Sequence, residues 1–286
     1  MLQKSVLRTI KFFDMFDYPM TAPEVWEYLD VECDPGDVYE TLLQEKSRIQ
    51  KQDGFFFLSG RQELVDTRKK RYNYSDKKIK KTKRVGHVFK YIPGIKTMAI
   101  SNLIGTHNLR YEGDLDIFII TSSGRLWSVR FFCVLITKLL RLRPTPAKQK
   151  DKICLNFFLS EDRMNVQDLK LEKDVYFDHW MAGLVPVYDQ DNTFSEFLKA
   201  NNWMREKFPN QCFGYGGDRS QIKEGANPFI IKLFDVLFCR HQNIFKNIQL
   251  RFLSHGLKKL MNQGTQVVID DNILKLHTHD RRKEFR

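Results

Sequence analysis

Cysteine pairs are missing from this sequence. Its five cysteines, Cys33, Cys133, Cys154, Cys212 and Cys239, lie far apart, are odd in number and form no C-x-x-C. This argues against a structural zinc centre and a secreted disulfide scaffold, and predicts reduced thiols in the cytoplasm. Long hydrophobic runs are missing as well. The longest, Leu126 to Leu142, is broken by Arg130, Lys138 and Arg141, and Met1 to Arg8 holds no uninterrupted apolar segment. Neither a membrane span nor a leader is expected. There is no internal repeat and no sustained low-complexity tract, so no repeat array is expected. Acidic residues run short in the middle: residues 61–90 carry net +9 and residues 91–160 net +6, whereas residues 1–60 carry net −5, within a chain total of +12.

What is present is ample material for a core. The chain has 286 residues, 42% of them hydrophobic and 13% aromatic, with 23 Phe. That is enough buried surface to offset ordering entropy without staples, and enough length for two or three compact units.

Residues 1–60 read as three helices and a hairpin, a winged-helix-like module. Thr21 and Glu24 have capping-box spacing with Pro23 inside the first turn, and Asp53-Gly54 supplies the turn before the strand Phe55 to Leu58. The third helix, expected from about Asp37 to Ile49, is acidic. Asp34, Asp37, Glu40 and Glu45 outnumber Lys46 and Arg48, which favours a protein partner over DNA readout for this module. Residues 61–90 read as a basic connecting helix with a narrow stripe at Val65, Tyr72 and Ile79. Its run from Arg68 to Arg84 suits a nucleic acid or a triphosphate, with Tyr72 and Tyr74 available for stacking. Residues 91–185 alternate strands and helices, and residues 186–286 read as a mainly helical region containing a flexible loop, Gly214 to Arg219. The fold class expected is therefore α/β (α+β), a mixed sheet flanked by helices.

The chemistry-bearing motif is Gly113-Asp114-Leu115-Asp116, followed by Ile117-Phe118-Ile119-Ile120. Side chains alternate along a strand, so Asp114 and Asp116 share one face while Leu115, Ile117 and Ile119 enter the core. Two carboxylates held that close need a positive partner, and a hard divalent cation, Mg2+ or Mn2+, is the usual one. Such a centre suits phosphoryl or nucleotidyl transfer. His107 in the preceding loop and His277-Thr278-His279 near the end are weaker metal or ligand candidates.

The run Met98 to Thr121, then Gly124 to Arg130, then Lys152 to Leu159, and the ending Asn272 to His277 resemble a family of bacterial and archaeal nucleotidyltransferase-domain proteins. That family belongs to the DNA polymerase β-like superfamily. The resemblance implies a nucleotidyltransferase fold and a nucleoside triphosphate as substrate. It places Asp114 and Asp116 as catalytic metal ligands, and Ser101-Asn102 where a Gly-Ser pair binds phosphate. From position alone, Gly113 just before the pair and Arg125 close after its strand are further candidates for nucleotide contact. A third carboxylate is expected on a later strand, where this chain has Asn156. Asp151, Glu161 and Asp162 flank that strand as possible substitutes. Three readings follow: a transferase moving a nucleoside monophosphate to an acceptor hydroxyl, an inactive nucleotide-binding regulatory or interaction protein, or a nucleic-acid binder using residues 68–84.

Overall fold

The computed structural model describes residues 1–145, 147–212, 222, 228–236, 241–278, 280 and 282–285. The loop Gly214 to Arg219, Phe238, Cys239 and His279 lie outside them.

The first 60 residues form helices α1 (Leu2–Asp14), α2 (Ala22–Glu27) and α3 (Pro35–Gln44), then a hairpin of β1 (Ile49–Gln52) and β2 (Phe55–Leu58). Asp53 and Gly54 both take positive φ, at 51° and 82°, as a tight two-residue hairpin turn requires. The capping box of α2 is formed: Thr21 N donates to Glu24 Oε2 at 2.9 Å, and Glu24 N donates to Thr21 Oγ1 at 3.4 Å. The third helix ends earlier than its sequence suggests, because Ile49 is drawn into strand pairing with Leu58.

Helix α4 (Glu63–Phe89) is one continuous helix of 27 residues. Its buried positions include Leu64, Val65, Arg68, Ser75, Lys78, Thr82, Val85 and Phe89, so the inward face recurs at steps of three and four. Tyr72 is off that face, 54% exposed, because a strict seven-residue step drifts on a straight helix of 3.6 residues per turn.

A six-stranded sheet follows, in the order β6-β3-β4-β5-β8-β7. Its strands are β3 (Ile95–Ile100), β4 (Leu115–Thr121), β5 (Ile153–Ser160), β6 (Val185–Asp189), β7 (Val267–Ile269) and β8 (Ile273–Leu276). The sheet is mixed. Strands β4 and β5 are parallel, joined through α5 (Leu126–Leu139), and every other pair is antiparallel. The C-terminal region is thus not simply helical. It returns three strands of three to five residues each, too short to carry a readable alternation.

Both faces of the sheet are covered. One face, with Ala99, Phe118, Ile120, Phe157 and Leu159, packs on α6 (Val175–Ala182), α7 (Thr193–Ala200), α8 (Trp203–Lys207) and the N-terminal helices. The other, with Ile117, Ile119, Leu155 and Phe158, packs on the end of α4, on α5, and on α10 (Gln242–Arg251) and α11 (His255–Leu260); α9 (Pro228–Phe234) precedes these two. No helix among the described residues is long and apolar enough to cross a membrane.

Candidate metal centre

Strand register builds the centre. Ser101, at the end of β3, donates its backbone N–H to Asp116 O at 2.9 Å, and Asn102 Nδ2 donates to Asp114 O at 3.0 Å. Across the parallel pairing, Asp116 stands opposite Cys154 and Phe118 opposite Phe157. Two steps on β4 are therefore matched by three on β5. This irregularity accommodates Asn156 as an extra residue and lets Cys154, Asn156 and Phe157 serve the same side as the carboxylates. Asn156 Nδ2 donates to Asp116 Oδ1 at 2.8 Å, and ligand atoms of Asp114, Asp116 and Cys154 all lie within 4.8 Å of one another.

The electrostatics are those of a centre lacking positive charge. Burial, and then the neighbouring Asp114, push the Asp116 carboxyl up to about 7. Burial raises Asp114 also, against the lowering effect of its backbone hydrogen bond and of Lys78. Burial and then the two carboxylates hold the Cys154 thiol well above its ordinary range. Asn102 Oδ1 and Asn156 Oδ1 are buried with no hydrogen-bond donor among the described residues. Unmet oxygens beside two carboxyls that resist ionisation are what a hard divalent cation would satisfy, so the donor set fits Mg2+ or Mn2+.

The pair opens onto a cavity of about 370 Å3. Ser101, Asn102 and Gly113 line it with Asp114 and Asp116, so these sequence-predicted residues do come together. Phe157, Tyr176, Phe177 and Trp180 form an aromatic wall, with Phe157 and Trp180 stacked at 5.4 Å between centroids. Cations line it as well: Arg71, which pairs with Asp17 of the N-terminal module, Arg110, and Lys275 and Arg282 from the C-terminal segment, with His277 and Asp280. Arg110 is exposed and pairs with no acidic group among the described residues. Burial lowers Lys275 to about 7 and, with the Lys275 charge, His277 to about 4.

Other expected residues lie elsewhere. Arg125 is beyond the far end of β4 and pairs with Asp235 at 2.8 Å; proximity in sequence to the Asp pair is undone by the length of the strand. Glu161 and Asp162 follow the far end of β5, where they cap Ser123 N and Ser160. Asp151 is near the right end but is held by Lys78 at 3.4 Å. No third carboxylate replaces Asn156 beside the pair among the described residues. His107 takes a positive φ of 56° and packs on Tyr72 at 4.6 Å, and Tyr74 packs on Tyr111 at 4.8 Å.

The basic helix is divided. Arg68 pairs with Glu24 at 2.6 Å, Arg71 with Asp17 at 3.0 Å, and Lys78 donates to Gly113 O, so three of its cations turn inward. Lys70, Lys77 and Arg84 remain exposed. Sequence reading missed Arg71 and Arg110 as cavity residues, and with them Trp180, Lys275 and Arg282, because only folding brings them to the Asp pair. Comparison with family models, curated proteins and solved structures yields no match, so what this centre does is read from its own residues.

Proposed function

We propose that this chain is a metal-dependent nucleotidyltransferase of the cytoplasm, moving a nucleoside monophosphate from a nucleoside triphosphate to an acceptor hydroxyl. The observation that carries this reading is the Asp114–Asp116 pair with two unmet amide oxygens, at a cavity lined by an aromatic wall and by Arg and Lys side chains. An antiparallel β3–β4 pair followed by a parallel β5 supports a nucleotidyltransferase-type core. The three helices and hairpin at the N-terminus support the winged-helix-like reading.

Asp114 and Asp116 would hold Mg2+ or Mn2+, with the Asn102 and Asn156 oxygens within reach as further donors. When bound, the metal supplies charge stabilisation for the phosphoryl group in flight. Ser101 and Arg110 contact the phosphates, and Trp180 and Phe157 pack against the base. The aromatic wall also excludes water from the reacting phosphate.

A second reading is favoured by one contact. Asn156 donates an amide N–H to Asp116, and an amide accepts no proton, so the acceptor hydroxyl lacks the base a third carboxylate would provide. A nucleotide-binding protein without turnover would look the same. Nucleic-acid binding through residues 68–84 has less support, since Arg68, Arg71 and Lys78 face inward. Exposed Asp34, Asp37 and Glu40 keep a protein partner for the N-terminal module the better expectation.

Calorimetric titration of the four nucleoside triphosphates with Mg2+ or Mn2+, alongside pyrophosphate release, separates these. Binding and release that are both lost in Asp114→Ala/Asp116→Ala support the transferase. Metal-dependent binding without release supports the inactive binder, and no binding by folded protein overturns both.

A further inference from the structure

Cys154 is the residue directly opposite Asp116 in the parallel β4–β5 pairing, on the side of the sheet that carries the carboxylates. Its Sγ belongs to the same cluster as the Asp114 and Asp116 oxygens, all within 4.8 Å of one another. A buried cysteine is ordinarily a small apolar filler. Cys133 fits that description, fully buried within the apolar cluster behind the sheet. Cys154 does not, because its Sγ lies beside two carboxyls and its thiol hydrogen-bonds to Asp116, to which the Asn156 amide also donates.

A second observation points to a ligand at the same spot. The side-chain oxygens of Asn102 and Asn156 are buried and have no hydrogen-bond partner among the described residues. Ser101, only 3% exposed, lines the cavity beside them. Thus the cluster combines two carboxylates, one sulfur and two unmet amide oxygens, which is more than an acidic patch.

We propose that Cys154 coordinates the cation at the Asp114–Asp116 centre through sulfur, so that the site prefers a thiophilic divalent ion of the zinc, cobalt or cadmium type over Mg2+. This rests on the reading of that centre as a metal site. The chemistry is a simple exchange. As the metal–sulfur bond forms, the S–H bond breaks and its proton leaves to solvent, with no oxidation or reduction. Thiolate is a soft donor and selects borderline and soft ions, whereas Mg2+ demands near-octahedral oxygen ligands and gives up water reluctantly. Mn2+ lies between and tolerates the site through its oxygens.

The test uses the full-length protein with Cd2+, Co2+, Mn2+ and Mg2+ separately. Binding is followed by calorimetry, and Cd2+ and Co2+ are also followed by sulfur-to-metal charge-transfer absorption. The expected result is a charge-transfer band in the wild type that disappears in Cys154→Ser. Cd2+ affinity should fall by more than about 100-fold, beyond the usual cost of losing an outer-shell partner, while Mn2+ affinity moves by less than about threefold. Cadmium NMR of the unmutated protein gives a readout independent of any variant, since a sulfur ligand shifts the resonance away from an all-oxygen site. A band or Cd2+ affinity that persists in Cys154→Ser, or an all-oxygen cadmium resonance, overturns the role of Cys154 and leaves the metal centre standing. Failure of all four cations to bind overturns both.

Discussion

Asp116 is protonated in the folded, metal-free chain at a pH where the unfolded chain has already released that proton. Its carboxyl goes from the usual 3.8 to about 7, chiefly through burial. The folded state therefore holds more protons than the unfolded state between those values, and stability falls as pH rises through that window. Chemical denaturation of metal-free wild type and Asp116→Asn from pH 4 to 8 should show the wild type losing ground to the variant by on the order of 2 kcal/mol. Mn2+ should restore the wild type at pH 8 and do little at pH 4, because the ion competes with the proton. A pH-independent gap would remove the electrostatic account of the pair. Lys275 has the opposite sign. Burial brings it from 10.5 to about 7, so the folded state is short of a proton between those values, and the destabilisation present below 7 fades as pH rises. Lys275→Met should stabilise the protein by about 1–3 kcal/mol at pH 6 while weakening triphosphate binding. At this scale the Asp pair was legible, because a period of two places both carboxyls on one face whatever surrounds them. Arg110, Trp180 and Lys275 were not, since nothing local ties them to the pair, and Arg125 misled because it is near in sequence and a strand's length away in space.

Loop 101–113, which carries Ser101 and Asn102, is clasped by the N-terminal module. Tyr18 OH donates to Thr106 O at 3.1 Å and accepts from Thr106 N at 2.7 Å, and Arg71 joins Phe16 O, Asp17 and Asn108 Oδ1. The Arg68 guanidinium stacks on the Tyr18 ring at 3.6 Å, and Gly105, at φ +87°, lets that ring approach so closely that a Cβ would meet it at 2.5 Å. Arg71→Ala leaves Asn108 Oδ1 without its donor and Asp17 with Arg61 alone. It should cost about 1–3 kcal/mol by urea unfolding and weaken metal-dependent nucleotide binding although no ligand of the metal has changed. Unchanged affinity would mean that the loop holds its shape alone. Gly183 makes the matching contact from the other side: a Cβ there would collide with the backbone oxygen of Leu103, just after β3, behind the α6 residues of the aromatic wall. Gly183→Ala should destabilise by about 2–4 kcal/mol, measured the same way, since a backbone atom yields less readily than a side chain. Among elements, the capping box of α2, the span of α4 and the strand after Gly113 were legible because caps, charge and periodicity agree. The strands β6, β7 and β8 were not, being short pieces; β6 and β8 join the central strands across more than 80 residues, and β7 is a three-residue edge strand on β8.

The cavity draws on the whole chain. Phe16 and Arg71 come from its first quarter, Asp114, Asp116 and Phe157 from its middle, and Lys275 and Arg282 from its end. The same integration holds in the core, where α1 residues Phe12 and Phe13 pack against His179 of α6 in a cluster that also holds Phe118 and Phe157 of the sheet. Arg282 ties the C-terminus into this body through Asp174, Asp280 and Leu169 O, with Asp174 only 1% exposed. A chain built this way should melt as one cooperative unit rather than as separate modules. A ligand at the cavity should then stabilise all of it together. At 100 times its Kd, triphosphate with Mn2+ adds about 2.7 kcal/mol, a rise of several degrees in Tm for a chain of this size. Scanning calorimetry should record a single transition that moves intact with ligand, and Asp114→Ala/Asp116→Ala should melt as one transition that the ligand leaves in place. Two transitions, only one of them responsive, would mean that the N-terminal module folds on its own and lends the cavity Phe16 and Arg71 without sharing its stability.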